Sequence, residues 1–215
     1  MPLTPAEQRE LQAAARPFGV ELLPDHIDRI GRYLDLLFQW RKHARLVSQR
    51  QTRSDILTRH IADSFALIAP LRGRRRIADV GSGAGLPGIP VAVVLPSAHI
   101  TLIESNQRKA NFLREVIRQL AIANVAVAES RVERLQADHL FDAVVSRAVG
   151  TIENLLRNAR PRLQRSGVVI AMKGPSVERE IVPAAIAALG FAIESRVQYR
   201  LEPGENRVLV VMRFT

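Results

Sequence analysis

Ten residues constrain this chain more than any others: Asp79-Val80-Gly81-Ser82-Gly83-Ala84-Gly85-Leu86-Pro87-Gly88. The apolar pair Ile77-Ala78 leads in, and the apolar run 89–95 leads out. A strand that ends in glycines and turns into a helix is a nucleotide-type cofactor loop. Each glycine permits a turn or a close approach that a Cβ would block. The helix that follows offers unpaired N–H groups to a ligand. An ordinary tight β–α turn is the simpler reading, but four glycines within residues 81–88 are more than such a turn needs.

What surrounds the loop sets the fold class. Runs rich in Val and Ile at 76–81, 99–104, 124–128, 141–146 and 167–173 alternate with stretches of helical periodicity at 105–120, 152–163 and 177–189. Phe112, Leu113, Val116, Ile117 and Leu120 share one helix face. That alternation predicts a buried parallel sheet covered by helices. The last two runs, 191–201 and 207–214, are separated only by Glu202-Pro203-Gly204-Glu205-Asn206, which predicts an antiparallel hairpin.

The first 72 residues read as a helical extension, and 73–215 as a Rossmann-like α/β domain. Thr4-Pro5-Ala6-Glu7 is a capping box with Pro at the first helical position. A second helix starts at Pro24-Asp25, with Ile27, Ile30, Leu34, Leu37 and Phe38 on one face and Tyr33 and Trp40 read as core. A third opens at Ser54 or Asp55. Within it, Arg59 and Asp63 are four apart, the spacing of a helix ion pair.

Composition narrows the function. At 215 residues with 47% hydrophobic content, the chain can bury a core without staples. It has no cysteine, which excludes disulfides, thiolate metal sites and cysteine nucleophiles. The start Met-Pro-Leu-Thr lacks a signal-peptide pattern, and no apolar run approaches the ~20 residues of a membrane span. A cytoplasmic protein with no membrane partner is expected. The net charge of +10 favours a polyanion, nucleic acid first. Within 41–76, ten basic residues (Arg41, Lys42, Arg45, Arg50, Arg53, Arg59, Arg72, Arg74, Arg75 and Arg76) face only Asp55 and Asp63, and this run reads as a nucleic-acid footprint.

Glu104 ends the second strand, where an acid hydrogen-bonds ribose hydroxyls in this architecture. Asp79 is an acid in a buried strand and needs a partner, either loop N–H groups or a cofactor ammonium. Two cofactor classes fit. Gly83 to Gly88 formally matches the dinucleotide G-x-G-x-x-G, whereas the stretch from Asp79 reads D-x-G-x-G-x-G, the S-adenosylmethionine form. The dinucleotide frame would start beyond the strand end and put Pro87 inside the turn. The terminal hairpin resembles that of class I methyltransferases, whose last strand inserts antiparallel in a seven-stranded sheet. S-adenosylmethionine is therefore the expected cofactor.

The acceptor is narrowed by absences. Without cysteine, pyrimidine C5 methylation lacks its nucleophile. The Asn/Asp-Pro-Pro-aromatic motif of exocyclic-amine methylation would follow strand four, where the chain reads Ser146-Arg147-Ala148. A purine N7 has an in-plane lone pair and no proton to lose, so its attack needs orientation and no general base.

The chain resembles the bacterial small-subunit rRNA guanine-N7 methyltransferases called RsmG or GidB. The matching pieces are Arg59-His60-Ile61-Ala62-Asp63-Ser64, Asp79 to Pro90, Lys109-Ala110-Asn111-Phe112-Leu113-Arg114, Ser130-Arg131-Val132-Glu133, Phe141-Asp142 with Ser146-Arg147-Ala148, and Met172-Lys173-Gly174. The resemblance implies S-adenosylmethionine held by Asp79, Gly81, Gly83, Gly85 and Leu86. It implies Glu104 on the ribose, Val132 and Glu133 around the adenine, and Arg147 at the reacting end. Arg59, His60, Asp63 and Lys173 become substrate candidates, with Arg147 and Lys173 the candidate catalytic groups. The implied substrate is a guanine of 16S rRNA in the 30S subunit, and a monomer is expected.

Some positions depart from the family pattern: Arg45, Val47, Ala84, Glu104 for Asp, and Val149 where an aromatic is frequent. Tyr33, Trp40 or Tyr199 could supply the missing ring. A small-molecule methyltransferase, a non-catalytic RNA-binding assembly factor and a nicotinamide oxidoreductase are the competing functions.

Overall fold

A computed structural model of the chain describes residues 2–135, 140–147, 150–201 and 204–215. Helix α1 (Pro5–Ala15) begins as its sequence predicts: Glu7 N donates to Thr4 Oγ1 at 3.2 Å and Thr4 N to Glu7 Oε2 at 2.8 Å. Helix α2 (Pro24–Ala44) follows. Then α3 (Arg53–Asp55), a π-helical turn at Ile56–Ile61, α4 (Ala62–Phe65) and α5 (Ile68–Leu71) run in close succession. Thr52, two or three residues before the expected start, caps this segment by accepting from Asp55 N at 3.1 Å.

Five strands come next in βα alternation: β1 (Arg76–Val80), β2 (His99–Ile103), β3 (Val125–Ala128), β4 (Phe141–Arg147) and β5 (Leu163–Lys173). The intervening helices are α6 (Gly88–Val94), α7 (Gln107–Leu120) and α8 (Ile152–Ala159). Helix α9 (Pro183–Ala188) leads to β6 (Phe191–Leu201) and β7 (Glu205–Phe214). The sheet order is β3-β2-β1-β4-β5-β7-β6. Strands β1 to β5 pair in parallel, and β7 lies antiparallel between β5 and β6. This is the expected seven-stranded α/β architecture. The order reverses between β2-β1 and β4-β5, so a crevice opens beyond the carboxyl ends of β1 and β4.

The two sheet faces carry separate cores. Ile77, Ile100, Val145 and Ile170 point to the face covered by the N-terminal helices, α6 and α7. Ala78, Val144 and Val169 point to the face covered by α8 and α9. The N-terminal helices are thus packed onto the sheet. Leu11, Tyr33, Leu34, Leu37, Ile56, Leu57 and Ile61 are all 0% exposed. Each such burial is worth about 1.5–3 kcal/mol.

Three boundaries differ from expectation. The helix read at 177–189 is split into a 3₁₀ turn at Pro175–Arg179 and the short α9, because Pro183 bars helical geometry at Val182 (φ −110°, ψ 101°). The helix read to 163 ends at Ala159, before a 3₁₀ turn holding Pro161, and β5 starts earlier. Strand β7 starts at Glu205; Glu202 and Pro203 of the hairpin loop lie outside the described residues. Among the described residues, no helix is long and apolar enough to cross a membrane.

Candidate active site

Register brings the site together. Val80 of β1 lies beside Ile103 of β2 and Ser146 of β4. The next residues, Gly81, Glu104 and Arg147, therefore emerge at one end of the sheet. Gly81 N and Ser82 N both donate to Ile103 O, at 2.9 and 3.2 Å, which starts the loop as a tight turn. Gly81, Gly83 and Gly85 have φ of 73°, 57° and 89°, the left-handed region that disfavours other residues. Gly88 is required for another reason. A Cβ there would stand 2.3 Å from Leu102 Cδ2 and 2.7 Å from Asp79 Oδ2.

Asp79 is fully buried beneath this loop. Its Oδ2 accepts from Gly88 N at 2.9 Å, while its Oδ1 has no hydrogen-bond partner. Burial pushes the carboxyl up to about 7, against the opposing pull of the Gly88 N–H and the Arg147 charge. Glu104 is 8% exposed. Its two oxygens accept from Gly83 N at 3.0 Å and Asn106 N at 2.7 Å. Each carboxylate oxygen keeps a further lone pair for a ligand hydroxyl. Tyr33, buried under the loop, donates to Ala84 O at 2.9 Å.

A second group of side chains meets Arg147 from the N-terminal helices and the final hairpin. Arg147 Nη1 lies 3.2 Å from His60 Nδ1 and 3.6 Å from Asp63 Oδ2. Guanidinium can only donate, so His60 Nδ1 accepts and the ring proton sits on Nε2. Nε2 is 2.6 Å from Gln51 Nε2; with the ring proton on His60 Nε2, the Gln51 amide is assigned the flipped orientation in which its oxygen accepts. Burial, then the charges of Arg147, Arg59 and Arg207, push His60 down to about 4, so the ring is neutral. Asp63 is 2% exposed; its Oδ1 accepts from Tyr199 Oη at 2.6 Å and lies 3.9 Å from Arg207 Nε. His60, Asp63, Arg147, Lys173 and Arg207 line a cleft of about 370 Å³.

The spacing-based ion pair between Arg59 and Asp63 does not form. The π-helical turn at Ile56–Ile61 changes which residues stack along the helix. Arg59 is drawn instead to Glu205 of β7 and, at 3.8 Å, to Asp55. Lys173 lines the cleft, with its ammonium 3.2 Å from Glu180 and bonded to Gly150 O.

The donor set suits S-adenosylmethionine. The orphaned Asp79 oxygen is a partner for an ammonium, the positive-φ glycines leave a cradle without side chains, and Glu104 has acceptor capacity at a strand end. A family profile described as "GidB: rRNA small subunit methyltransferase G" matches residues 26–201.

The chain belongs to the GidB family.

Relatives named ribosomal RNA small subunit methyltransferase G support the assignment. The chain is 35% identical to one from Chromobacterium violaceum, over 83% of this chain and 86% of that protein. It is 33% identical to one from Pseudomonas putida, over 98% and 97%. Among solved structures, a precorrin-6y C5,15-methyltransferase from Geobacter metallireducens matches with a TM-score of 0.56 at 17% identity, covering 81% of this chain and 95% of that one. A SAM-dependent methyltransferase from Aquifex aeolicus gives 0.56 at 16%, covering 75% and 93%. These structural likenesses establish the class I methyltransferase fold.

In this GidB-family chain, the remaining candidate residues are placed as follows. Leu86 is buried within the loop. Val132 is buried in a 3₁₀ turn at Val132–Arg134, after β3. Glu133 is turned toward α8, where its carboxylate accepts from Asn158 Nδ2 at 2.7 Å. Tyr33 is fully enclosed and has no face for a base. Trp40 packs against Phe112, with centroids 6.0 Å apart, and Tyr199 sets its ring edge-on to Phe18 at 5.5 Å. Ala148 and Val149 lie outside the described residues. Sequence reasoning missed Gln51, Glu205 and Arg207 in this network; nothing local marks them, because their contacts cross between distant elements.

Proposed function

We propose that this protein methylates N7 of a guanine in 16S rRNA, using S-adenosylmethionine, on the small ribosomal subunit in the cytoplasm and as a monomer. Asp79 Oδ1 accepts the cofactor ammonium, the 81–88 glycines admit its amino-acid end, Glu104 takes the ribose hydroxyls, and Val132 and Glu133 border the adenine. The cofactor supplies a methyl group on a positively charged sulfur.

The chain's own work is to hold and orient. Arg147, anchored by His60 and Asp63, has N–H donors left for the guanine O6, which leaves N7 facing the methyl group. With the cofactor bound, the N7 lone pair would form the new bond to carbon as the carbon–sulfur bond breaks, and the positive charge would pass to the purine. No proton has to be removed from that atom. The observation that carries this reading is that each cleft side chain that could act as a base is already engaged. His60 Nδ1 serves Arg147, Asp63 serves Tyr199 and Arg147, and Lys173 serves Glu180. A cleft of positioned but occupied groups suits an acceptor that needs orientation and no base.

The test is methyl transfer from labelled S-adenosylmethionine to 30S subunits, naked 16S rRNA and guanosine. Label released as 7-methylguanine from one rRNA position supports the reading. Label on guanosine alone, or on another atom, contradicts it.

A further inference from the structure

The basic run at 41–76 does not form one surface. Arg53 is held by Glu7 and Asp35, each at 2.6 Å, and Arg59 by Glu205 and Asp55. Arg72, Arg74 and Arg75 precede β1, and Arg76 begins it. The glycine loop leaves the opposite end of that strand. These four arginines therefore sit at the end of the sheet away from the cleft.

Other elements bring arginines to the same place. Asp142, near the start of β4, accepts from Arg75 N at 2.7 Å and Arg76 N at 3.1 Å, and its carbonyl accepts from Arg74 at 3.0 Å. Beside it, β5 bulges: Phe141 pairs with Leu163, but Ala143 pairs with Val168. Arg165 is exposed on that bulge, and Ser166 has φ 63°. Arg213, opposite Val168 on β7, donates to Ser166 O at 3.0 Å. Arg74 and Arg213 are close enough that the charge of Arg213, added to burial, pushes Arg74 down. Among the described residues, the acids named at this end are engaged: Asp142 accepts from backbone N–H groups and its charge also faces Arg74, and Glu194 pairs with Arg213. Among the described residues, the guanidiniums of Arg72, Arg75, Arg76 and Arg165, all exposed, form no ion pair, although Asp142 accepts from the backbone N–H groups of Arg75 and Arg76.

From Asp142 to Arg147 along β4 is five residue steps, about 17 Å. A nucleotide seated in the cleft cannot itself touch arginines that far away. We infer that the Arg72/Arg75/Arg76/Arg165 patch binds phosphates of a second rRNA segment, separate from the one that delivers the guanine. This rests on the methyltransferase reading above. Contact at both ends of the sheet makes recognition depend on how two rRNA segments are arranged in space, and so on folded rRNA.

The experiment combines Arg72→Gln, Arg75→Gln, Arg76→Gln and Arg165→Gln, with a matching set of four Lys substitutions. Binding to 30S subunits is followed against salt, and methyl transfer is compared on 30S subunits and on a short RNA carrying the unmethylated target guanine. The Gln variant should lose about 3 from the log–log salt slope, which is four phosphate contacts at 0.7–0.9 each. Its KM for 30S subunits should rise at least tenfold, while transfer to the short RNA matches wild type. The Lys variant, which keeps the charge, should restore the slope. An unchanged slope and KM on 30S subunits would overturn the inference. So would an equal loss on both substrates, which would make the patch part of the cleft's own interface. Wild-type protein that binds 30S subunits but methylates no RNA would defeat the methyltransferase reading, and the salt slope would still decide the patch.

Discussion

The Arg147 guanidinium meets the Asp63 carboxylate at 3.6 Å, across the seam between β4 and α4. Asp63 is almost fully buried, and Tyr199 and Arg207 close on it from the final hairpin. The last residue of a central strand is thus aimed by groups from both ends of the chain.

Arg147→Ala removes the donor we assign to the guanine and leaves Asp63 short of a partner. Methyl transfer should fall by about 10²-fold or more. Stability should drop by about 1–3 kcal/mol, since Tyr199 and Arg207 remain. Arg147→Lys keeps the charge without the fork and should recover only part of the rate. Steady-state kinetics beside denaturant melts separate the two effects.

Tyr199→Phe deletes one hydroxyl donor to Asp63 and leaves the ring packed on Phe18. The expected cost is about 1 kcal/mol of stability, with kcat on saturating substrates falling roughly tenfold as Arg147 loses its fixed aim. A variant with unchanged kcat would make Tyr199 a packing residue only.

Gly88→Ala places a methyl against Leu102 and Asp79. Overpacking of this kind costs about 1–3 kcal/mol, and it disturbs the Asp79 oxygens, so cofactor affinity should fall as well. Gly174 offers the contrast: nothing lies within 4 Å of its added Cβ. Gly174→Ala should stay within about 0.5 kcal/mol of wild type. Thermal melts of the two variants check this.

Much of this was legible from the chain. Glycine spacing, the strand runs and the short link before β7 are local signals, and they define the loop, the parallel core and the antiparallel end. The Arg59–Asp63 pairing misled because a π-helical turn intervenes and Glu205 competes from β7. The helix at 177–189 misled because its apolar periodicity outweighed Pro183. The partners of Asp63 were invisible because Tyr199 and Arg207 reach it only once β6 and β7 have paired. The basic run looked like one footprint because a linear count cannot see that its last four arginines, before and at the start of β1, lie at the other end of the sheet.

Asp79 and His60 give the pH dependence two limbs of opposite sign, and burial also pushes the Asp63 carboxyl up. Asp79 is pushed up to about 7, so the cofactor-free folded protein holds a proton there that the unfolded chain gives up above about pH 4. Its contribution is intact below about pH 4 and is lost as pH rises to about 7, by at most about 4 kcal/mol. Asp79→Asn should flatten that limb of the melting curve. Cofactor binding at pH 6 should release a proton, read by calorimetry in buffers of different ionisation heat. His60, pushed down to about 4, has the opposite sign: its contribution is present above about pH 6.5 and is lost as pH falls toward 4.

One measurement tests the central claim, a transfer that needs placement and no general base: the pH profile of kcat at saturating cofactor and 30S subunits, with the product mapped. The account predicts 7-methylguanine at one 16S position and a kcat that is level from about pH 7 to 9, because His60 is neutral throughout and N7 gives up no proton. A kcat limb near pH 6.5–8 that His60→Gln abolishes, or a methyl group on any atom other than a guanine N7, would contradict it.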